Sequence, residues 1–272
     1  MSHTITYGHL NAEVPSNWKE VPERIFILFG RLMANKTPLA HAQLLILYHS
    51  LPFKFQWLFT HNLRNWRGKV VLPKLDVEDA TWMRQTLSFV QDDPAFPWVK
   101  LRSIRNRWRK KFYGPADALA NVTVEEFFTA ERYFQKYLQH FERTDLDKLC
   151  ATLYRKRSTL SRKDALAKGD LREEFNSHLV EYNARAMRTV PDSMKLAVLY
   201  NFKAVRGFFV KQFPEVFAPG GGQTKPYASQ SFIISIARHR HQQPEVIAKQ
   251  QIMTFLIDVQ SNVHEIEEIN SR

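Results

Sequence analysis

No residue constellation in this chain announces a reaction, and the stretch that says most about its chemistry is a basic cluster. Between Lys100 and Lys111 the sequence reads KLRSIRNRWRKK, with Lys100, Arg102, Arg105, Arg107, Arg109, Lys110 and Lys111 set around Trp108 and Trp98 just ahead. Cationic groups at this density repel one another and tolerate burial only when paired. The cluster therefore requires solvent, carboxylates from its own fold, or an anionic partner, and three readings stay open. It contacts nucleic acid, where cations release counterions from phosphates and Trp108 or Tyr113 stacks on bases. It meets an acidic protein surface. Or it is a solvated face partly neutralised by Asp92, Asp93, Glu125 or Glu126.

Other candidate motifs fall short of a reaction. GGGQTK, from Gly220 to Lys225, resembles a phosphate loop only superficially: that loop places a glycine directly before the lysine and a hydroxyl residue directly after it, whereas Thr224 and Pro226 flank Lys225. A loop between helices is the reading. His239 and His241 in RHRH offer two imidazoles, but Arg238 and Arg240 repel a cation and no acidic or cysteine ligand sits at a recognised spacing. The lone Cys150 lies among Leu146, Leu149 and Leu153, as a buried structural thiol would. Asp145 and Asp147 could both bind a cation, but the preferred reading is that they start a helix, since aspartate in a first turn favours the helix dipole. No HExxH, paired-cysteine or GxSxG pattern occurs. No catalytic, cofactor-binding or metal-ligating residue is assigned, and the chain reads as non-enzymatic with no cofactor.

Composition bounds the object that carries these residues. With 272 residues, 44% of them hydrophobic and 13% aromatic, the chain buries a full core, and 9 glycines with 13 prolines exclude linker-like and collagen-like classes. Thirty-nine Lys and Arg against 27 Asp and Glu give a net charge of +12, which draws nucleic acid, anionic membrane or acidic protein at long range. One cysteine forms no internal disulfide, the opening MSHTITYGHLNAEVP lacks the apolar core of a signal peptide, and the apolar run Leu44 to Leu47 is far short of the ~18 residues of a membrane span. A cytoplasmic protein that does not enter membranes is expected.

The periodicity is helical over most of the chain. Ile5, Tyr7 and Leu10 allow a short strand or hairpin before Pro15. From Pro22 a helix carries Ile25, Phe26, Phe29, Leu32 and Met33 on one face and stops at Asn35 to Thr37; Thr37 and Pro38 restart a helix to Ser50, and Phe55, Leu58, Phe59 and Leu63 mark another. Lys69 to Leu72 reads as a short strand and Leu75 to Val90 as a helix, before Asp92, Asp93, Pro94 and Pro97 break the pattern. Thr123 with Glu126 matches a reciprocal capping box ahead of Phe127, Phe128, Ala130, Phe134, Tyr137, Leu138 and Phe141. Helices follow over Leu146 to Tyr154, Asp170 to Arg188, Met194 to Phe208, Gln230 to Arg238 and Glu245 to Val259, with Arg155 to Lys168 expected as an exposed charged loop, Gly220 to Gly222 as a flexible break, and Glu265, Glu267 and Glu268 in an acidic tail. The expectation is a mainly α, multi-helix globular protein with at most a short N-terminal strand or hairpin. It divides into helical regions 1–95 and 96–272, a single packed unit being the alternative.

Four segments in order, VPSNWKEV, FYGPADALANVTVEEFFTAERYFQKY, LDKLCATLYRKR and KLAVLYNFKAVRGFFVKQFPEVF, carry a resemblance that spans most of the chain. Together they resemble an uncharacterised group of proteins encoded by tailed phages and prophages of Bacteroidetes-type bacteria, in the tail morphogenesis region. The resemblance implies a factor in particle assembly, such as a chaperone for the long tape-measure protein, acting in the host cytoplasm on another phage structural or tail protein. It transfers no functional residues, and whether the protein stays in the finished particle is left open. The alternative expectation, from another class, is a nucleic-acid-binding protein built on Lys100 to Lys111.

Overall fold

The computed structural model describes residues 3–7, 10–34, 87–90, 94–161, 163–164, 169–217, 234, 236–238 and 240–270. The elements expected at 37–50, 52–63 and 69–72, most of those at 75–90 and 230–238, and the glycine break at 220–222 lie outside them. The protein is mainly α-helical, and its backbone divides into two compact units, Met1–Pro94 and Ala95–Arg272.

In the first unit, β1 (His3–Tyr7) and β2 (Leu10–Val14) form an antiparallel hairpin that pairs Ile5 with Ala12. A turn follows in which Glu20 accepts the backbone amide of Ser16 at 2.9 Å and the side chain of Asn17 at 3.1 Å. Helix α1 (Glu23–Ala34) then buries Ile25, Phe26 and Phe29 at the expected helical spacing. Trp18 packs edge-on against Phe26, Phe29 and Phe89, and its indole N–H donates to the Phe89 carbonyl at 3.1 Å.

The second unit begins with a short hairpin, β3 (Ser103–Arg105) and β4 (Lys111–Tyr113), inside the basic cluster, where no strand was expected. Helices α2 (Val124–His140), α3 (Arg143–Leu153), α4 (Val180–Met187) and α5 (Asp192–Gln212) follow, then α6 (Pro214–Phe217), α7 (Pro244–Lys249) and α8 (Ile252–Asn270). Helix α5 is buried nearly all round through Leu196, Ala197, Val198, Phe202, Val205 and Phe209, as a central helix must be. Phe127 of α2 meets Phe202 and Phe209 at ring separations of 5.8 and 5.7 Å, and Phe128 meets Phe255 of α8 at 6.5 Å. Among the described residues, no helix is long and apolar enough to cross a membrane.

Two local expectations yield to tertiary pairing. The helix expected over 245–259 splits at Gln250 and Gln251, because the Gln250 carbonyl accepts the Val124 amide and the Ile252 amide donates to the Val122 carbonyl, both at 2.9 Å. The chain leaves the helix there to satisfy the start of α2. The stretch 170–176 is not helical; it runs beside 156–158, with the Glu173 amide donating to the Lys156 carbonyl at 2.9 Å, and helix begins only at Val180.

Candidate functional site

The hairpin that carries the cluster is built on one buried pair. Ile104 faces Phe112 across the strands, and the two are 1% and 3% exposed, so strand alternation sends Ser103, Arg105, Lys111 and Tyr113 to the outer face. Arg105 stands directly opposite Lys111 in the register, a like-charge pairing that costs stability. The Lys111 ammonium lies 4.8 Å from the centre of the Tyr113 ring.

The turn is held from inside. Asn106, 7% exposed, donates its amide to the Lys110 carbonyl at 3.1 Å, accepts the Arg109 amide on its carbonyl at 2.9 Å, and accepts the Lys110 amide on its side-chain oxygen at 2.9 Å. Arg109 closes the three-residue loop with φ at 58°, the left-handed position that such loops ordinarily give to glycine. The Arg107 amide donates to the Thr189 carbonyl at 2.9 Å, anchoring the tip to the loop ahead of α5. Arg107, Trp108, Arg109 and Lys110 are left in solvent, Trp108 being 73% exposed.

The base is rigid. Tyr113 and Arg155 exchange backbone hydrogen bonds of 2.8 and 3.1 Å, and the Tyr154 hydroxyl donates to the Leu101 carbonyl at 2.7 Å. Gly114 lies so close to this tyrosine that a Cβ would come within 2.6 Å of its ring, so only glycine fits. Asn201 of α5 accepts the Lys100 amide at 2.6 Å and donates to the Trp98 carbonyl at 2.9 Å. Burial lowers the half-buried Lys100 ammonium to about 8, with Asp117 opposing the shift.

All eight residues singled out in the sequence thus belong to one hairpin or its base, and their pairing is uneven. Arg102 bonds Asp117 at 2.5 Å. Among the described residues, Arg105, Arg107, Arg109, Lys110 and Lys111 have no carboxylate within ion-pair distance. Asp92 and Asp93 lie outside the described residues, Glu125 forms no ion pair among them, and Glu126 is engaged elsewhere. One further cation escapes any reading by sequence proximity: exposed Arg188 directly precedes Thr189, whose carbonyl holds the tip.

Glu126 corrects the expected capping box. The Thr123 hydroxyl does accept the Glu126 amide at 3.2 Å, but the Glu126 carboxylate does not return the bond. It is wholly buried and takes Arg155 and Arg172 at 2.7 Å each. Arg172 also bonds Asp170 at 2.9 Å and the carbonyls of Leu153 and Asn121 at 3.0 and 2.8 Å. Burial works against its charge, and Glu126 and Asp170 more than offset that. Arg155, expected on an exposed loop, is therefore part of the core, while Lys156 and Arg157 after it are exposed.

A second buried pair corrects the reading of Asp147. Asp145 stands in the first turn of α3 as expected, but Asp147 is 2.7 Å from the fully buried Lys195 ammonium, which also reaches Asp192 at 2.9 Å. Cys150 is buried close by, and desolvation pushes its thiol far above the ordinary range, which leaves it inert as a nucleophile. The central members of these clusters, Glu126, Arg155, Arg172, Asp147 and Lys195, are buried and engaged with one another, so they hold the fold. A cavity of about 10 Å³ lined by Val99, Leu119, Tyr154, Asn201 and Phe202 has room for about one water molecule.

Gly220 to Lys225 and His239 lie outside the described residues, and His241 occupies a turn with φ at 52°. Among the described residues, no three His, Cys, Asp or Glu side chains gather as metal ligands. No protein-family model, curated protein or solved structure matches the chain.

Proposed function

We propose that this protein is a non-enzymatic binding factor that holds an anionic macromolecule on the hairpin between Lys100 and Tyr113. One observation carries the reading: Arg105, Arg107, Arg109, Lys110 and Lys111 stand exposed without ion pairs among the described residues, on a turn anchored at Asn106 and Thr189. The arrangement carries a cost to the fold. The Arg105–Lys111 opposition and the left-handed Arg109 both work against folding, and an anionic partner relieves the first of them. The resemblance to phage tail-region proteins supports particle assembly in a bacterial host as the setting.

The test of the surface uses an immobilised polyanion such as heparin. The protein elutes at higher salt than a variant carrying Arg105→Glu, Arg109→Glu and Lys110→Glu, all at exposed positions. Identical elution refutes the assignment. The setting is tested separately by incubating the purified chain with each tail protein encoded beside its gene; retention of none of them counts against assembly.

A further inference from the structure

Resting on the hairpin as an anion-contact surface, we infer that its occupant is a single strand of nucleic acid, with a base stacked on Trp108 and phosphates ranged along Arg105, Arg107, Arg109, Lys110 and Lys111. The indole is the first reason. Trp108 is 73% exposed and has a cation on either side in sequence and two more after it. The buried centre of a protein–protein interface is depleted of charge overall and of lysine in particular, although arginine and tryptophan are enriched there, so Lys110, Lys111 and the number of cations are what argue against such a centre. Seating Trp108 in such a centre would draw unpaired cations out of water, each requiring its own carboxylate. A nucleic-acid strand delivers one anion per nucleotide, keeps its phosphates hydrated and presents an aromatic face with every base.

The strand must be single for the indole to be used. In a duplex both faces of each base are covered by neighbours, so Trp108 would gain only by prising a step apart. An unpaired strand offers its faces freely, and every base has one, which fits a hairpin that sets Trp108 in solvent beside its cations. Arg188, exposed beside the carbonyl that anchors Arg107, extends the cationic surface past the turn.

The turn makes the proposal separable from a structural role. Arg109 occupies a left-handed position that glycine fills without strain, so Arg109→Gly relaxes the backbone while removing one charge. If arginine is there for the ligand, the substitution weakens binding and leaves the thermal midpoint unchanged or raised. A residue retained for the fold moves the midpoint down.

The experiment measures fluorescence anisotropy of the full chain with labelled single-stranded DNA and RNA of about ten nucleotides, with the matching duplex and polyglutamate as comparisons. Five phosphate contacts at about 0.7 each give a slope of log K against log salt of about −3.5, and Arg109→Gly lowers its magnitude by about 0.7. Trp108→Ala, at an exposed position, weakens single-strand binding about tenfold or more and removes the quenching of indole fluorescence. Stronger binding to RNA or to DNA names the source within the same chemistry. Polyglutamate binding as tight as the oligonucleotide, with Trp108→Ala without effect, overturns the nucleic-acid assignment and leaves the cationic surface standing as a protein-docking site. Tighter binding to the duplex overturns the single-strand assignment. If heparin elution is also blind to the hairpin charges, the reading beneath it falls as well.

Discussion

Replacing Glu126 by glutamine separates two roles that the sequence alone leaves superimposed. A capping box accepts glutamine as readily as glutamate, so if Glu126 served the start of α2 the variant would lie within about 0.5 kcal/mol of wild type. In the structure the carboxylate is 0% exposed and carries two guanidinium groups at 2.7 Å, with Arg155 and Arg172 5% and 0% exposed in their side chains. Glutamine keeps the shape and removes the charge, leaving both cations to Asp170, which is 2.9 Å from Arg172 but 3.9 Å from Arg155. Breaking a buried pair by removing one partner costs about 3–5 kcal/mol, and the remaining aspartate places this case at the lower end, about 3 kcal/mol. In a unit of this size each kcal/mol moves the thermal midpoint by about 2–4 °C, so a fall of about 6–12 °C is expected. Urea unfolding monitored by far-ultraviolet circular dichroism and by tryptophan fluorescence measures the loss, provided the slope with urea is unchanged. A loss below about 1 kcal/mol would refute the buried clamp and return Glu126 to capping.

The Lys195–Asp147 pair follows the same logic: Lys195→Met strands a buried carboxylate and costs about 3 kcal/mol or more, while Lys195→Met with Asp147→Leu recovers most of it in the same urea assay. Gly114→Ala drives a methyl group into Tyr154 and the Leu101 carbonyl and destabilises by about 1–3 kcal/mol, although glycine there has no unusual φ. Lys100 gives a pH signature: its folded-state value of about 8 lies below the unfolded 10.5, so the folded state sheds the proton first. Its burial cost is full below pH 8 and is relieved as pH rises from about 8 to 10.5, so stability measured relative to Lys100→Met rises through that window and is level outside it; a difference that falls with pH contradicts the burial. Hydrogen exchange reports the link between clamp and hairpin, because Arg155 bonds Tyr113 through its backbone and Glu126 through its side chain. In Glu126→Gln the Tyr113 amide loses about tenfold more protection than the core of α5, and an equal loss at both places would separate the two structures.

The legible part of the fold is the part whose burial is local. Helices α1, α2, α3 and α5 follow their apolar spacing, and α2 its start at Thr123, because their buried positions recur at the helical period and the pattern records it. The second hairpin is hidden by its own composition. Each three-residue strand buries a single residue, Ile104 or Phe112, and the positions facing the turn are the cations Arg105 and Lys111, so period two is too short to register. The core role of Arg155, Arg172 and Lys195 is equally silent, since the buried carboxylates they meet, Glu126 and Asp147, are 29, 46 and 48 residues away in sequence and a buried cation looks like a solvated one until that partner is placed. The cluster from Lys100 to Lys111 was visible as composition. What sequence lacked was its sorting: Arg102 paired, Lys100 half-buried and the five beyond Ser103 free of ion pairs among the described residues.

That sorting bears on how binding would be achieved. An exposed Lys or Arg on a mobile loop loses side-chain and backbone freedom when it meets a ligand, and the backbone share is avoided if the loop is already fixed. Here the backbone cost is met within the fold: Asn106 closes the turn, Thr189 holds its tip, Ile104 and Phe112 plug its inner face, and Arg155 binds its base to a buried ion network. The outer side chains then have only their own rotamers to lose, while the mutual repulsion of Arg105 and Lys111 is relieved as an anion arrives. Destabilising choices on the outer face and stabilising ones beneath it point the same way. The chain is fixed where it is buried, and among the described residues its cations stand without ion pairs where it meets solvent, which is the arrangement the proposed binding requires.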